Sequence, residues 1–179
     1  AAYRINDPLL AEQILAEEKA DLIGMARALI ADPEFCNKAK EGRFDEIRPC
    51  IACNFCIPLG EREGAPLECE VNPRVGKEKE TTLKPVTKSK KVFVIGGGPA
   101  GMEAAMTAAS RGHEVTLYDR GDKLGGQLLI ASLPPYKDEI KRLTYALATQ
   151  VKKAGVKVEL STPVGIPLIL DNKPDTVIV

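Results

Sequence analysis

The chain has 179 residues, 25 basic and 25 acidic side chains, a net charge of zero and five cysteines, which is length for one ordinary domain or two small ones. Balanced charge removes the basic field that marks nucleic-acid binding, and no apolar run nears the roughly 18 residues of a membrane span. The opening "AAYRIND" is no signal peptide, so the composition reads as a soluble cytoplasmic protein, where clustered cysteines bind metal or do redox chemistry rather than form disulfides.

Residues 1–48 read as the end of a larger β/α arrangement. "AYRI" is a strand stub, and Asp7-Pro8 is an N-cap followed by proline at the first helical position. Leu9, Leu10, Ile14 and Leu15 give an apolar stripe at helical spacing. "ADLIGMA" predicts a short strand, and "DPEFCNKAKEG" a second helix in which Cys36 is a small core residue. Two strands cannot make a parallel sheet with both faces covered, so the segment reads as truncated on its N-terminal side.

Four of the five cysteines follow in the pattern Cys50-x2-Cys53-x2-Cys56-x12-Cys69. A tight run of this kind aims three thiolates at three corners of a cubane, and a remote cysteine supplies the fourth. Structural zinc more often uses two separated C-x2-C pairs. A [4Fe–4S] cluster therefore suits the spacing better than zinc or unmetallated thiols. Residues 72–90 are polar and charged and predict a solvated linker.

From residue 91 the pattern is α/β again. "KVFVIG" predicts a buried strand, "PAGMEAAMTAASRG" a helix stopped by glycine, and "HEVTLYD" a second strand. A longer helix is expected over about 137–154, then strands in "VKVELS" and "DTVIV". Between the first strand and helix lies Gly96-x-Gly98-x-x-Gly101, and Asp119 ends the next strand. In that context the glycines are a dinucleotide fingerprint: one for the tight turn, one for pyrophosphate approach, one for helix–strand packing. The helix N-terminus at Pro99 and Ala100 offers N–H groups to phosphates. Asp119 would accept from ribose hydroxyls and disfavours a 2′-phosphate. The lone histidine, His113, reads as a solvated turn residue with no catalytic role.

The order "RPCIACNFCI", "CEVNPRVGKE", "KKVFVIGGGPAGMEAA", "LGGQL" resembles the iron–sulfur flavoprotein branch of the old yellow enzyme relatives. This is the NADH:flavin oxidoreductase, 2,4-dienoyl-CoA reductase and trimethylamine dehydrogenase family. The resemblance covers almost the whole chain and implies an internal fragment: 1–48 the C-terminal part of an FMN-binding (β/α)8 barrel, 49–71 the iron–sulfur segment, 72–90 a linker, and 91–179 part of a Rossmann-like FAD- or ADP-binding domain. It assigns the FMN phosphate to Gly24, Ala26 and Arg27, opposite the Tyr3-Arg4 turn where relatives often carry glycine. It assigns the cluster to Cys50, Cys53, Cys56 and Cys69, and FAD to Gly96, Gly98, Pro99, Ala100, Gly101, Asp119, Gly125, Gly126 and Gln127.

Electrons from NAD(P)H would then pass through FAD and the cluster to FMN, which reduces an activated alkene. The substrate-facing catalytic residues would lie upstream of residue 1. An amine dehydrogenase-like protein with ADP in place of FAD, and a non-catalytic zinc-stapled nucleotide-binding module, are the alternatives. Expected partners are a small-molecule substrate and the rest of the same polypeptide, with homo-oligomerisation left open and no nucleic acid or membrane.

Overall fold

A computed structural model describes residues 1–57 and 66–179; the stretch 58–65 of the cysteine segment lies outside the described residues. The chain divides into two compact units, Ala1–Thr82 and Leu83–Val179.

The described residues of the first unit include the helices α1 (Pro8–Ala16), α2 (Arg27–Ala31) and α3 (Phe35–Lys40), with a 3-10 turn at Phe44–Glu46. Asp7 caps α1, its Oδ1 accepting from the N–H groups of Leu9 at 2.8 Å and Leu10 at 3.3 Å. That satisfies donors the helix itself leaves open. The apolar stripe stays uncovered, and no residue of α1 is buried. Neither "AYRI" nor "ADLIGMA" is a strand. The two segments run together through the Gly24 N–H to the Ala1 carbonyl at 2.6 Å and the N-terminal ammonium to the Leu22 carbonyl. Too few ladder bonds form there, because neither segment has a further strand beside it among the described residues.

Ala28, Phe35 and Ile47 form the core of this unit, with Met25 and Ala39 against it. Cys36, expected in that core, is exposed. Successive helical residues point about 100° apart, so the face holding Phe35 and Ala39 turns Cys36 outward.

Beside this core sits a buried carboxylate. Asp32 is 4% exposed. Its Oδ2 accepts from Lys38 Nζ at 2.7 Å and from the Arg48 N–H at 2.9 Å, and its Oδ1 from the Glu34 N–H at 3.0 Å. Lys38 Nζ also reaches the Glu46 carbonyl at 3.1 Å. One acid thus ties α2, α3, the 3-10 turn and the approach to the cysteines.

The second unit is a four-stranded parallel sheet of β1 (Lys91–Ile95), β2 (Glu114–Tyr118), β3 (Lys157–Glu159) and β4 (Thr176–Ile178), in the order β3-β2-β1-β4. Lys91 pairs with Glu114 and Val92 with Thr176. Helix α4 (Pro99–Ser110) joins β1 to β2; α5 (Gln127–Ala131) and α6 (Asp138–Lys153) join β2 to β3; α7 (Ile166–Asn172) precedes β4. Winding runs outward from β1 to β3, then reverses to β4. This puts a topological switch point at the carboxyl end of β1, where open α/β sheets bind ligands.

Val92, Phe93 and Val94 are buried on both faces of the sheet, as a central parallel strand must be. Phe93 meets Tyr118 edge to face at 4.9 Å. Leu143, Leu147 and Val151 form the buried stripe of α6. Helix α4 ends at Gly112, φ 96°, where the Gly112 and His113 N–H groups return to the Ala109 and Ala108 carbonyls. His113 is half-buried rather than merely solvated, and its Nδ1 accepts from the Lys90 N–H at 3.1 Å.

Residues 72–90 contain neither helix nor strand. Their ends are nevertheless held. The Asn72 amide donates to the Ile30 carbonyl at 2.8 Å in the first unit, and the Val86 N–H to the Arg111 carbonyl at 2.9 Å in the second.

Removing one partner of a buried ion pair typically costs about 3–5 kcal/mol. Asp32→Ala is expected to destabilise the first unit by about 3 kcal/mol in a urea titration, whereas Glu17→Ala, on the exposed surface, leaves the midpoint in place.

Candidate functional site

Two cavities adjoin in the first unit. The larger, about 580 Å³, is lined by Tyr3, Arg4, Gly24, Ala26, Arg27 and Asn54 among others. The two chain segments expected to grip a phosphate therefore face one space. Tyr3 and Arg4 both lie at positive φ, 88° and 50°. That left-handed geometry is one that glycine adopts without strain and other residues rarely occupy.

The smaller cavity, about 10 Å³, is lined by Cys50, Cys53, Cys56 and Cys69, with Ile30, Ile51, Val71 and Arg27 in the wall. Twelve residues of chain separate Cys56 from Cys69, yet both reach it. Among the described residues no three potential ligands group around a single ion; the thiols are spread over the lining. Glu70 and Asn54 complete the lining. Four thiols with aliphatic neighbours suit a thiolate-bound iron–sulfur cluster, so the donor set fits that group.

The arms carrying the cysteines are fixed from outside. Arg48 Nη1 donates to the Val71 carbonyl at 2.8 Å, joining the segment before Cys50 to the segment after Cys69. The Asn6 amide donates to the Cys50 carbonyl at 3.0 Å. Within the run, Ala52 and Asn54 take left-handed φ of 53° and 60°, and the Ala52 N–H points at Cys50 Sγ, 3.4 Å away. Burial pushes the Cys50 thiol above its usual range, while the Ala52 N–H and the Arg27 charge pull it back down. A raised thiol holds less thiolate at any pH below its own titration, and the thiolate is the nucleophile. In metal-free protein at mildly alkaline pH, iodoacetamide should therefore label exposed Cys36 and Cys53 first and Cys50 last. Peptide mass spectrometry reads the order.

Arg48, Asn6 and Asn54 were not singled out by pattern. Only Asn54 carried a sequence signal, as a residue tolerant of left-handed backbone inside a cysteine run.

In the second unit Gly96 turns the chain at φ 111° directly after β1. A Cβ on Gly101 would stand 1.9 Å from the Gly96 carbonyl oxygen, so only glycine permits this approach of α4 to the turn. A Cβ on Gly98 would meet nothing within 4 Å; that side is open. The first intrahelical bond is Met102 N–H to the Gly98 carbonyl, at 2.9 Å, which leaves the Ala100 and Gly101 N–H groups ahead of it for a ligand.

The second glycine pair packs against the first. The Gly125 N–H donates to the Gly97 carbonyl at 2.8 Å, and a Cβ on Gly126 would lie 3.0 Å from the Gly98 Cα. Gln127 opens α5 immediately beyond. Asp119 braces the same turn: Oδ2 accepts from the Gly97 N–H at 2.5 Å and Oδ1 from the Gly121 N–H at 2.7 Å. A carboxylate has about four acceptor sites, so capacity for hydroxyl donors remains. Overpacking of this kind costs about 1–3 kcal/mol, and Gly101→Ala should lower the stability of the second unit by about 3 kcal/mol and abolish ADP binding. Denaturation and equilibrium dialysis test the two effects.

Fold and site together define the class: an α/β protein with a dinucleotide-type glycine turn in one unit and a thiol-lined cavity beside a larger one in the other. Residues 1–46 match the NADH:flavin oxidoreductase / NADH oxidase family, and residues 90–171 match the pyridine nucleotide-disulphide oxidoreductase family. Among its relatives, NADH oxidase of Thermoanaerobacter brockii is 47% identical over 176 residues, covering 97% of this chain and 27% of the relative. Cinnamate reductase of Clostridium sporogenes is 39% identical over 160 residues, covering 89% and 24%. The solved complex of 2-naphthoyl-CoA reductase with 2-naphthoyl-CoA matches with a TM-score of 0.94 at 38% identity, over 98% of this chain and 27% of that one.

The chain thus spans about a quarter of the length of these relatives. Its fold is α/β, the end of a TIM barrel followed by a Rossmann-like domain, and its two families are those of flavin- and NADH-using proteins. No described helix is long and apolar enough to cross a membrane.

Proposed function

We propose that this chain is the electron-relay part of an NAD(P)H-dependent flavin oxidoreductase of the cytoplasm that reduces an activated alkene of the enoyl-thioester or enone type. When bound, a [4Fe–4S] cluster supplies one-electron transfer between two flavins that each accept two electrons. Residues 1–48 end the FMN-binding barrel, 49–71 carry the cluster, 72–90 link, and 91–179 begin the FAD-binding domain. The partners are a small-molecule substrate and further domains of the same polypeptide.

The carrying observation is the shared wall. Arg27, Cys50 and Asn54 line both the 580 Å³ cavity and the thiol cavity, so a flavin phosphate site and a four-thiol site would be neighbours. Arg27 holds the phosphate, helped by the Gly24–Ala26 backbone. Cys50, Cys53, Cys56 and Cys69 would hold the cluster, with Ile30, Ile51 and Val71 beside them. The N–H groups of Ala100 and Gly101 bind pyrophosphate across the open side of Gly98, with Pro99 setting the start of the helix. Gly125, Gly126 and Gln127 close the same site, and Asp119 accepts from the ribose. Reduction of an activated alkene is supported by the cinnamate reductase among the relatives, and a thioester substrate by the naphthoyl-CoA reductase.

Anaerobically prepared Cys53→Ala is expected to lose its iron and its absorption near ~400 nm, yet bind ADP as tightly as the unsubstituted protein. Iron and sulfide assays with an ADP titration measure both. Zinc in place of iron at these thiols, or ADP binding lost together with iron, refutes the relay.

A further inference from the structure

The wall between the two cavities contains one contact that the cluster and phosphate assignments leave unexplained. Arg27 Nη1 donates to the side-chain carbonyl of Asn54. Asn54 lies inside the cysteine run, between Cys53 and Cys56, and its side chain arrives there from backbone at φ 60°. Both residues line both cavities. We propose that Asn54 is a positioning residue for Arg27: its Oδ1 holds the guanidinium on the shared wall, so that one cation serves a phosphate on one side and anionic thiolates on the other. This rests on the proposed function above.

The chemistry favours this residue type. An unheld arginine side chain carries about 2 kcal/mol of rotamer entropy that any ligand must overcome. Anchoring one N–H of its rigid five-donor fork leaves the others free for a phosphate. The anchor must be neutral. A carboxylate would hold Arg27 more tightly but cancel its charge and repel both phosphate and thiolates, whereas an amide oxygen accepts the bond and leaves the positive charge in place. An apolar residue would leave the guanidinium loose.

A competing account is purely local: asparagine tolerates left-handed backbone, and the loop needs such a residue. Glycine meets that need equally well, so Asn54→Gly removes the amide while keeping the turn, and Asn54→Ala removes the amide and strains the turn. Iron-loaded protein would be titrated with FMN alone by flavin fluorescence quenching, and the cluster's midpoint potential measured in the same samples.

Asn54→Gly is expected to keep its iron and its ADP binding, to bind FMN about tenfold more weakly, and to shift the cluster potential downward, since a released cation no longer stabilises the more negative reduced state. Asn54→Asp is expected to weaken FMN at least as much. Wild-type FMN affinity and potential in Asn54→Gly, with loss only in Asn54→Ala, would reduce Asn54 to a backbone residue and overturn the inference. Loss of iron from Asn54→Gly would overturn it too, by making the residue a support of the cysteine loop. Unsubstituted protein that takes up neither FMN nor iron sinks the proposed function, and this inference with it.

Discussion

Four thiols on two chain arms share one cavity, and the arms must lie side by side for them to do so. Here that constraint falls on Arg48 and Asp32. The Arg48 side chain bridges to the Val71 carbonyl and its N–H ends on the buried Asp32 carboxylate. Asp32 is in turn neutralised by Lys38, so the charge is not left unpaired in a low-dielectric interior. Cysteine positions are therefore inherited from a polar network that belongs to the helical part of the unit. A ligand group would bind to arms already joined, which lowers the ordering cost of assembling it.

The second unit solves a related problem with backbone instead of charge. Its binding turn must be tight after β1, open on one side and closed against α4 on the other. Gly96, Gly98 and Gly101 divide those requirements. Asp119 and the Gly125–Gly126 pair then brace the turn through two short N–H bonds and a backbone contact. The pre-formed cradle is thus largely main chain. This suits a ligand recognised by its phosphates, because main-chain donors carry no side-chain entropy to lose.

Legibility differed between the units for a physical reason. The sheet domain announced itself because β1, α4 and β2 are contiguous, each with its own period and its own punctuation by glycine. Helices α5 and α7 escaped notice: they are short, and "QLLIA" and "IPLIL" have no polar face to set a helical period. In the first unit, strands expected at "AYRI" and "ADLIGMA" did not form, since a strand is stabilised by neighbours and not by its own residues. Cys36 was misplaced for a similar reason, because which face of a six-residue helix turns inward depends on what it packs against.

The amino-acid order by itself determined the chemistry available: four cysteines at cluster spacing, a glycine turn after a strand, an acid at the end of the next. Those signals are local, and local spacing is enough to encode them. Only the tertiary structure decided which groups meet. Arg27 and Asn54 are separated by 27 positions, and Arg48 and Val71 by 23. Their contacts depend on how the helices close over Phe35 and Asp32, and a contact of that range leaves no periodic trace in the chain.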